Sequence, residues 1–243
     1  VTARTGDAHI KVFHEEKERP VLIVCDLRAN MQFGSKRTLK SVLSADIAAL
    51  LAWSALDAGD RIGALLFNDD SELDLRPKTG RKAVLHLLSE IVKMPRSSGQ
   101  DPHARMQQIC RHIRRITRPG TRVYFISDWL GFDKNCQEQL FNVTRHSDLV
   151  ALHISDPLEQ QLPPPGLYAL SDGINEAILN SASGPVREKF TQAYQQRLQQ
   201  LRQQLLALRT PLIKMVTANH NPLSDLRVGF GLSPLTNNVL EHS

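Results

Sequence analysis

Val21-Leu22-Ile23-Val24-Cys25-Asp26-Leu27-Arg28-Ala29-Asn30-Met31 is the stretch that decides the fold. An apolar, β-branched run stops abruptly at a carboxylate, and polar residues then follow at alternate positions. Such a run reads as a buried strand, and the carboxyl end of a strand is where an open α/β sheet meets its ligands. Asp26 is therefore a candidate metal ligand, nucleophile or helix cap, with Arg28 and Asn30 facing the same cleft.

Working outward, the pattern alternates strand with helix. His9 to Phe13 reads as a short extended segment, and Pro20 stands at a strand's first position, where proline is tolerated. Gln32 to Lys40 reads as a polar, basic loop. Ser41 to Ala58 has apolar residues at three- and four-residue steps, the period of a helix, and Gly59 supplies its stop. Arg61 to Phe67 is a second strand, Asn68 to Ser71 a turn, and Glu72 to Arg76 an edge strand antiparallel to its predecessor. Helices are expected over Arg81 to Lys93, His103 to Thr117 and Asn135 to Thr144. Between them Arg122 to Ile126 is a strand that again ends in a carboxylate, Asp128, and Leu149 to Ile154 is another.

This order predicts a doubly wound α/β fold, with a mostly parallel sheet flanked by helices. A Pro-rich insertion and small β meander, at about residues 157–180, interrupts the main domain, 1–216. Pro185 to Leu208 is the longest helix, with an apolar stripe of Phe190, Tyr194, Leu198, Leu201, Leu205 and Leu208 that is expected to be core. Leu212 to Val216 closes the sheet, and residues 217–243 read as a polar, partly ordered tail. The opening on Val1 predicts that the chain is truncated at its N-terminus.

Composition narrows the function. The 243 residues are 41% hydrophobic and 23% charged, ordinary globular values. No apolar run approaches the roughly 18 residues that span a bilayer. Three cysteines without CxxC spacing or a Cys/His cluster argue against a disulfide framework or structural zinc and predict a cytoplasmic protein. A net charge of +5 permits an acidic partner. At 5% aromatic residues, stacking platforms are scarce, which argues against nucleic acid.

The motifs argue against an enzyme. Asp26 and Asp128 close strands that can be neighbours, and two carboxylates there would begin a Mg²⁺ site. A guanidinium at Arg28, however, competes with a cation for the carboxylate. Phosphotransfer through Asp26 lacks a second carboxylate two residues later, since that place holds Arg28. Neither Gly-x-Gly-x-x-Gly nor a P-loop follows the first strand, and Ser127-Asp128 lacks the glycines of a nucleophile elbow. Arg105, Arg111, His112, Arg114, Arg115 and Arg118 lie on one helix, and Arg111, Arg114, Arg115 and Arg118 share one face of it. They would contact an acidic partner or nucleic acid, or else form a solvated outer face. Trp129 is either a recognition residue at the ligand end of the sheet or a lid packed over the cleft.

The order of these features resembles the von Willebrand factor A-like, Rossmann-like fold. More narrowly, it resembles the bacterial domain of unknown function 58 family, whose members accompany MoxR-type AAA+ ATPases. The residues that carry the resemblance are Ala3-Arg4, His9 to Phe13, Asp26 to Phe33-Gly34, Gly59 to Gly63 with Phe67, Ile126-Ser127-Asp128, Asp156 to Glu159, Leu162-Pro163 and Gly166. In metal-binding von Willebrand A domains the first strand ends Asp-x-Ser-x-Ser, and a later Thr and Asp complete the site. Here the resemblance carries over Asp26 and Asp128 alone. Arg28 and Asn30 stand in the serine places, and Gln100 where Thr is expected.

The resemblance thus implies a non-enzymatic protein–protein interaction module with a degenerate metal-ion-dependent adhesion site and no cofactor. Its partners would be a MoxR-type AAA+ ATPase and protein clients, in chaperone-like maturation or assembly of complexes. The expected contact surface is Arg28, Asn30, Gln32, Gln100, Asp101 and Trp129, framed by Asp26 and Asp128, with Arg28 bridging the two aspartates. The alternative is a Mg-dependent adhesion-type binder using Asp26 and Asp128; a phosphotransferase or hydrolase is the third reading.

Overall fold

The apolar run forms β1 (Pro20–Asp26), and strand and helix then alternate along the chain. They are α1 (Lys40–Asp57), β2 (Arg61–Phe67), β3 (Glu72–Lys78), α2 (Arg81–Lys93), α3 (Pro102–Ile116), β4 (Arg122–Ser127), α4 (Lys134–Thr144) and β5 (Asp148–Ser155). After β5 come a one-turn helix α5 (Pro157–Gln160), β6 (Leu167–Ser171), β7 (Glu176–Asn180), the long α6 (Gly184–Ala207), β8 (Leu212–Val216) and α7 (Pro222–Gly229). The computed structural model describes residues 18–97, 101–171, 176–219 and 221–233; the expected segment His9 to Phe13 and the site residue Gln100 lie outside them.

The sheet order is β3-β2-β1-β4-β5-β8. Every neighbouring pair is parallel except β2 with β3, whose hairpin makes β3 an antiparallel edge. From β1 the chain runs outward to β2 and β3, then crosses back to place β4 on the other side of β1. That reversal is a topological switch point, and it opens a crevice beyond the carboxyl ends of β1 and β4. Asp26 ends β1, and Asp128 directly follows β4.

Strand alternation splits the core into two layers. Val21, Ile23 and Cys25 pack beneath α1, α2 and α7, whereas Leu22 and Val24 pack with α3, α4 and the end of α6. Both faces of β1 are covered, which is why the strand is continuously apolar. Helix α1 ends as its sequence indicates: Gly59 takes φ of 76°, a left-handed value that glycine reaches without steric cost.

One expectation is corrected at the C-terminal end. The apolar stripe of α6 is core only over Leu201, Leu205 and Leu208, while Phe190 and Val186 nearer its start are exposed. The first half of this helix follows the β6–β7 hairpin, a separate two-stranded sheet, rather than lying on the main one. The tail expected from Thr217 also contains α7. Asn221 caps it by accepting from the Ser224 N–H at 3.1 Å, and Leu226 enters the same core layer as α1. A segment of eight residues in which only Leu226 is buried carries little periodic signal, so tertiary packing decides it.

Leu226→Ala removes a buried side chain from that layer. It is expected to lower unfolding free energy toward the lower end of roughly 2–5 kcal/mol, read by urea denaturation. A loss below about 0.5 kcal/mol would mean that α7 contributes nothing to the fold.

Candidate functional site

The crevice beyond β1 and β4 is filled by charged side chains that have no access to solvent. Asp26 and Arg28 are both 0% exposed. Arg28 doubles back on the strand end: its Nη2 donates to Asp26 Oδ2 at 2.7 Å and its Nε to Oδ1 at 3.0 Å. The backbone N–H of Arg28 also reaches Asp26 Oδ1, at 3.1 Å, and Ser127 Oγ donates to Oδ2 at 2.6 Å. Every lone-pair direction of this carboxylate is thereby taken. The rest of the guanidinium donates to the carbonyls of Leu130 (3.1 Å) and Pro102 (3.4 Å) and lies over the Phe67 ring. Gly131 permits this clamp. It takes φ of 85°, and a Cβ there would stand 2.2 Å from the Pro102 oxygen.

Asp128 is met by a second cation that the sequence reading passed over. Lys40, 1% exposed at the first turn of α1, donates to Asp128 Oδ2 at 2.8 Å and to Glu159 Oε1 at 2.6 Å. Asn30 Nδ2 donates to the same Asp128 oxygen at 2.5 Å, and the Leu130 N–H caps Oδ1 at 3.0 Å. Arg28 Nη2 is 3.8 Å from Asp128 Oδ1, so it stands between the two aspartates while bonding directly to Asp26. The signal for Lys40 was available: a cation in a helix's first turn opposes the macrodipole and needs a local reason. Asp69, also passed over, holds the Ala29 N–H at 2.7 Å and the Ser97 hydroxyl at 2.6 Å. Its sequence neighbours read simply as a turn.

In this arrangement the residues do not fit a divalent cation. Asp26 has no oxygen free, Asp128 is shared by Lys40 and Asn30, and two cations already occupy the space between the carboxylates. Among the described residues, no group of three or more His, Cys, Asp or Glu side chains is placed to hold a metal.

The sequence matches the family described as Protein of unknown function DUF58 over residues 1–200. The chain belongs to that family. It is 27% identical over 197 residues to uncharacterized proteins of Mycobacterium bovis and Mycobacterium tuberculosis, covering 79% of this chain. It spans 61% of the length of those relatives. Among solved structures, the conserved hypothetical protein BatB from Bacteroides thetaiotaomicron superposes with a TM-score of 0.55 at 12% identity, covering 87% of this chain and 96% of that one. The fold is von Willebrand factor A-like, a mostly parallel sheet flanked by helices. No described helix of this DUF58 chain is long and apolar enough to cross a membrane.

The electrostatics of the DUF58 site follow from burial and pairing. Burial alone would raise the Asp128 carboxyl; the Lys40 ammonium overrides it, aided by Arg28 and the Leu130 N–H, and lowers its pKa to about 2. Burial works against the Lys40 and Arg28 charges, but Asp128 with Glu159, and Asp26, hold both pKa values above their ordinary ones. Asp156, on the next strand end, is opposed by burial and held low by Ser35 and Thr217, whose hydroxyls each donate to it at 2.5 Å. Cys25 is an unreactive thiol, since burial and the adjacent Asp26 push its pKa up. His153, 4% exposed beside Asp128, has neither ring nitrogen hydrogen-bonded, and burial lowers its pKa to about 4.

The expected contact residues differ in burial. Arg28 and Asp26 are closed off from any partner surface in this state. Trp129 is 4% exposed and packs between Phe125 and Phe132, with ring centroids at 4.6 and 5.1 Å. Its φ is 62°, and Nε1 donates to the Leu152 carbonyl at 3.3 Å, so the indole is packed inward. Asn30 and Gln32 are half-buried, and Gln32 accepts from Ser41 at 3.3 Å. Asp101 is exposed and caps α3 through the His103 N–H at 2.9 Å. Of the basic run, Arg111, Arg114, Arg115 and Arg118 lie outward, whereas Arg105 is buried against Glu72 at 3.0 Å.

Two outcomes test this description. Arg28→Met strands the Asp26 carboxylate and is expected to cost about 3–5 kcal/mol in chemical denaturation, most of it recovered in Asp26→Leu/Arg28→Met. The pH dependence has a definite sign. The His153 pKa in the fold lies below its unfolded value of about 6.5, so the unfolded chain binds the proton more tightly and stability falls as pH drops from about 6.5 toward 4. That loss, on the order of 3 kcal/mol between pH 6.5 and 4, is expected in wild type and absent in His153→Leu, and equal pH dependence of the two in urea denaturation would assign it to other groups.

Proposed function

We propose that this chain is a non-enzymatic protein–protein interaction module that works with a MoxR-type AAA+ ATPase in chaperone-like maturation or assembly of protein complexes. Its recognition face is a degenerate metal-ion-dependent adhesion site at the strand ends. One observation carries the reading: the Arg28 guanidinium, fully buried, bonds Asp26 where an adhesion site would need the carboxylate open to a cation. Lys40 does the same for Asp128. Positive charge built into the chain gives the face its final electrostatics without an ion, so recognition does not depend on metal concentration. The fold likeness and the family match support the module; the sequence resemblance supplies the class of ATPase.

The same geometry supports a non-catalytic role. Asp26 has no lone pair free for nucleophilic attack, and the buried Cys25 thiol is held protonated. The residues left for contact are the half-buried Asn30 and Gln32 and the exposed Asp101. Side chains already fixed by buried partners lose little entropy on binding, so a small polar face of this kind favours specificity over raw affinity.

Calorimetric titration of the chain with Mg²⁺ and with Mn²⁺ is expected to give no heat of binding. Affinity capture should recover a MoxR-type ATPase, and Asp101→Lys should weaken that recovery about tenfold. Saturable metal heat that disappears in Asp128→Asn would replace this reading with the metal-dependent one, and capture unaffected by Asp101→Lys would move the contact face elsewhere.

A further inference from the structure

The opposite end of the sheet carries the reverse charge. An open groove of about 560 Å³ lies where the first residues of β1 and β2 meet the last residues of β3 and the C-terminal end of α3. Its size falls in the ~300–1,000 Å³ range of ligand-sized clefts. Arg61 opens β2, Arg76 and Lys78 lie on β3, Arg115 lies on the last turn of α3, and Arg118 lies just beyond it. Asp74 is the one carboxylate among the lining residues. Between the charges the groove has an apolar floor of Pro20, Leu22, Pro77 and Ile116.

The helix dipole accounts for a cation at the end of α3, yet it does not account for the three that converge from β2 and β3. Among the described residues, Arg76, Lys78, Arg115 and Arg118 form no ion pair, and each is exposed. Their charges are left to attract something from outside. The other pole has the contrary balance: Asp26, Asp69, Asp128, Asp156 and Glu159 stand against Arg28 and Lys40. A chain of only modest net positive charge thus carries opposite local balances at the two ends of its sheet, and four of its exposed, unpaired cations line this groove.

We infer that this groove takes an acidic, extended peptide segment of a protein partner, with an apolar side chain on the Leu22–Ile116 floor and carboxylates against the arginine rim. The chemistry favours peptide over nucleic acid. No aromatic residue lines the groove, so bases find no stacking surface, and the floor offers apolar contact that a phosphate backbone does not use. Planar guanidinium forks suit carboxylates bidentately, and unpaired rim charges speed encounter with an acidic chain. The site is separate from the strand-end face, so its success or failure leaves the function proposed above untouched.

The probe is a fluorescein-labelled peptide, Glu-Glu-Leu-Glu-Asp-Leu-Glu-Glu, titrated into the 243-residue chain and read by fluorescence anisotropy. Saturable binding is expected, weakening about tenfold in Arg115→Glu/Arg118→Glu and comparably in Arg76→Glu. The Arg76 variant, on another element, guards against a folding failure of the double variant. Arg111→Glu/Arg114→Glu, on the same helix but outside the groove, should bind as wild type does, and replacing both leucines of the peptide with serine should weaken binding. No saturable binding overturns the inference. So does equal loss in the two double variants, or indifference to the leucines, since either means diffuse charge attraction. Tighter binding of a labelled single-stranded or duplex oligonucleotide, or of phosphatidylserine vesicles, would assign the groove to nucleic acid or to a lipid surface instead.

Discussion

A guanidinium folded back onto the carboxylate two residues before it is the contact on which the strand-end architecture depends. Arg28 bonds Asp26 through three of its own N–H groups, backbone included, and gives further donors to the carbonyls of Pro102, the first residue of α3, and Leu130, in the loop after β4. Those carbonyls belong to segments distant in sequence, so one side chain fixes the ends of β1, β4 and α3 relative to each other. Two buried charges of this kind are costly to desolvate, and their net worth to stability is small when both are present. What they supply is definition. The crevice at the switch point has a single arrangement of donors and acceptors, because any other leaves a charge without a partner.

Around that pair the structure distributes charge by position in the fold. Strand ends on the carboxyl side gather aspartates, as Asp26, Asp128 and Asp156 each close a parallel strand. Hydroxyls, amides and two cations absorb them, so little of that charge reaches solvent. At the amino ends the chain does the opposite and leaves arginines exposed at a groove with an apolar floor. The sheet thus separates a pole where electrostatics are internally satisfied from one where they are not.

Much of the fold was legible because its signals are local. Val21 to Asp26, Arg61 to Phe67 and Leu149 to Ile154 are strands with helical stretches between them, and periodicity alone places them. Gly59 marked a helix end by the chirality argument. The site was only half legible. The spacing of Asp26, Arg28 and Asn30 put them together at one strand end, and Asp128 followed by the same logic. Lys40 and Glu159 were invisible as a pair because they meet only when α1 and α5 dock, across a separation of more than a hundred residues. Trp129 was ambiguous for another reason. Its burial depends on a left-handed backbone turn, and nothing in a tryptophan's chemistry announces that. Helix α7 was missed because eight residues are too few to show a period, and of Leu223, Leu226 and Val228 only Leu226 is buried.

The bonds to Asp156 tie together segments that are far apart along the chain. It accepts from Ser35 behind β1, from Leu158 just ahead and from Thr217 after β8, so it stitches the ends of three strands into one knot. These contacts cannot close until β1, β4, β5 and β8 already lie side by side, because only the finished sheet brings them within reach. The β2–β3 hairpin and the individual helices, by contrast, need only near neighbours. Loop-closure entropy therefore weighs most on the strand-end knot, whose contacts span the longest stretches of chain, and least on the hairpin and the helices.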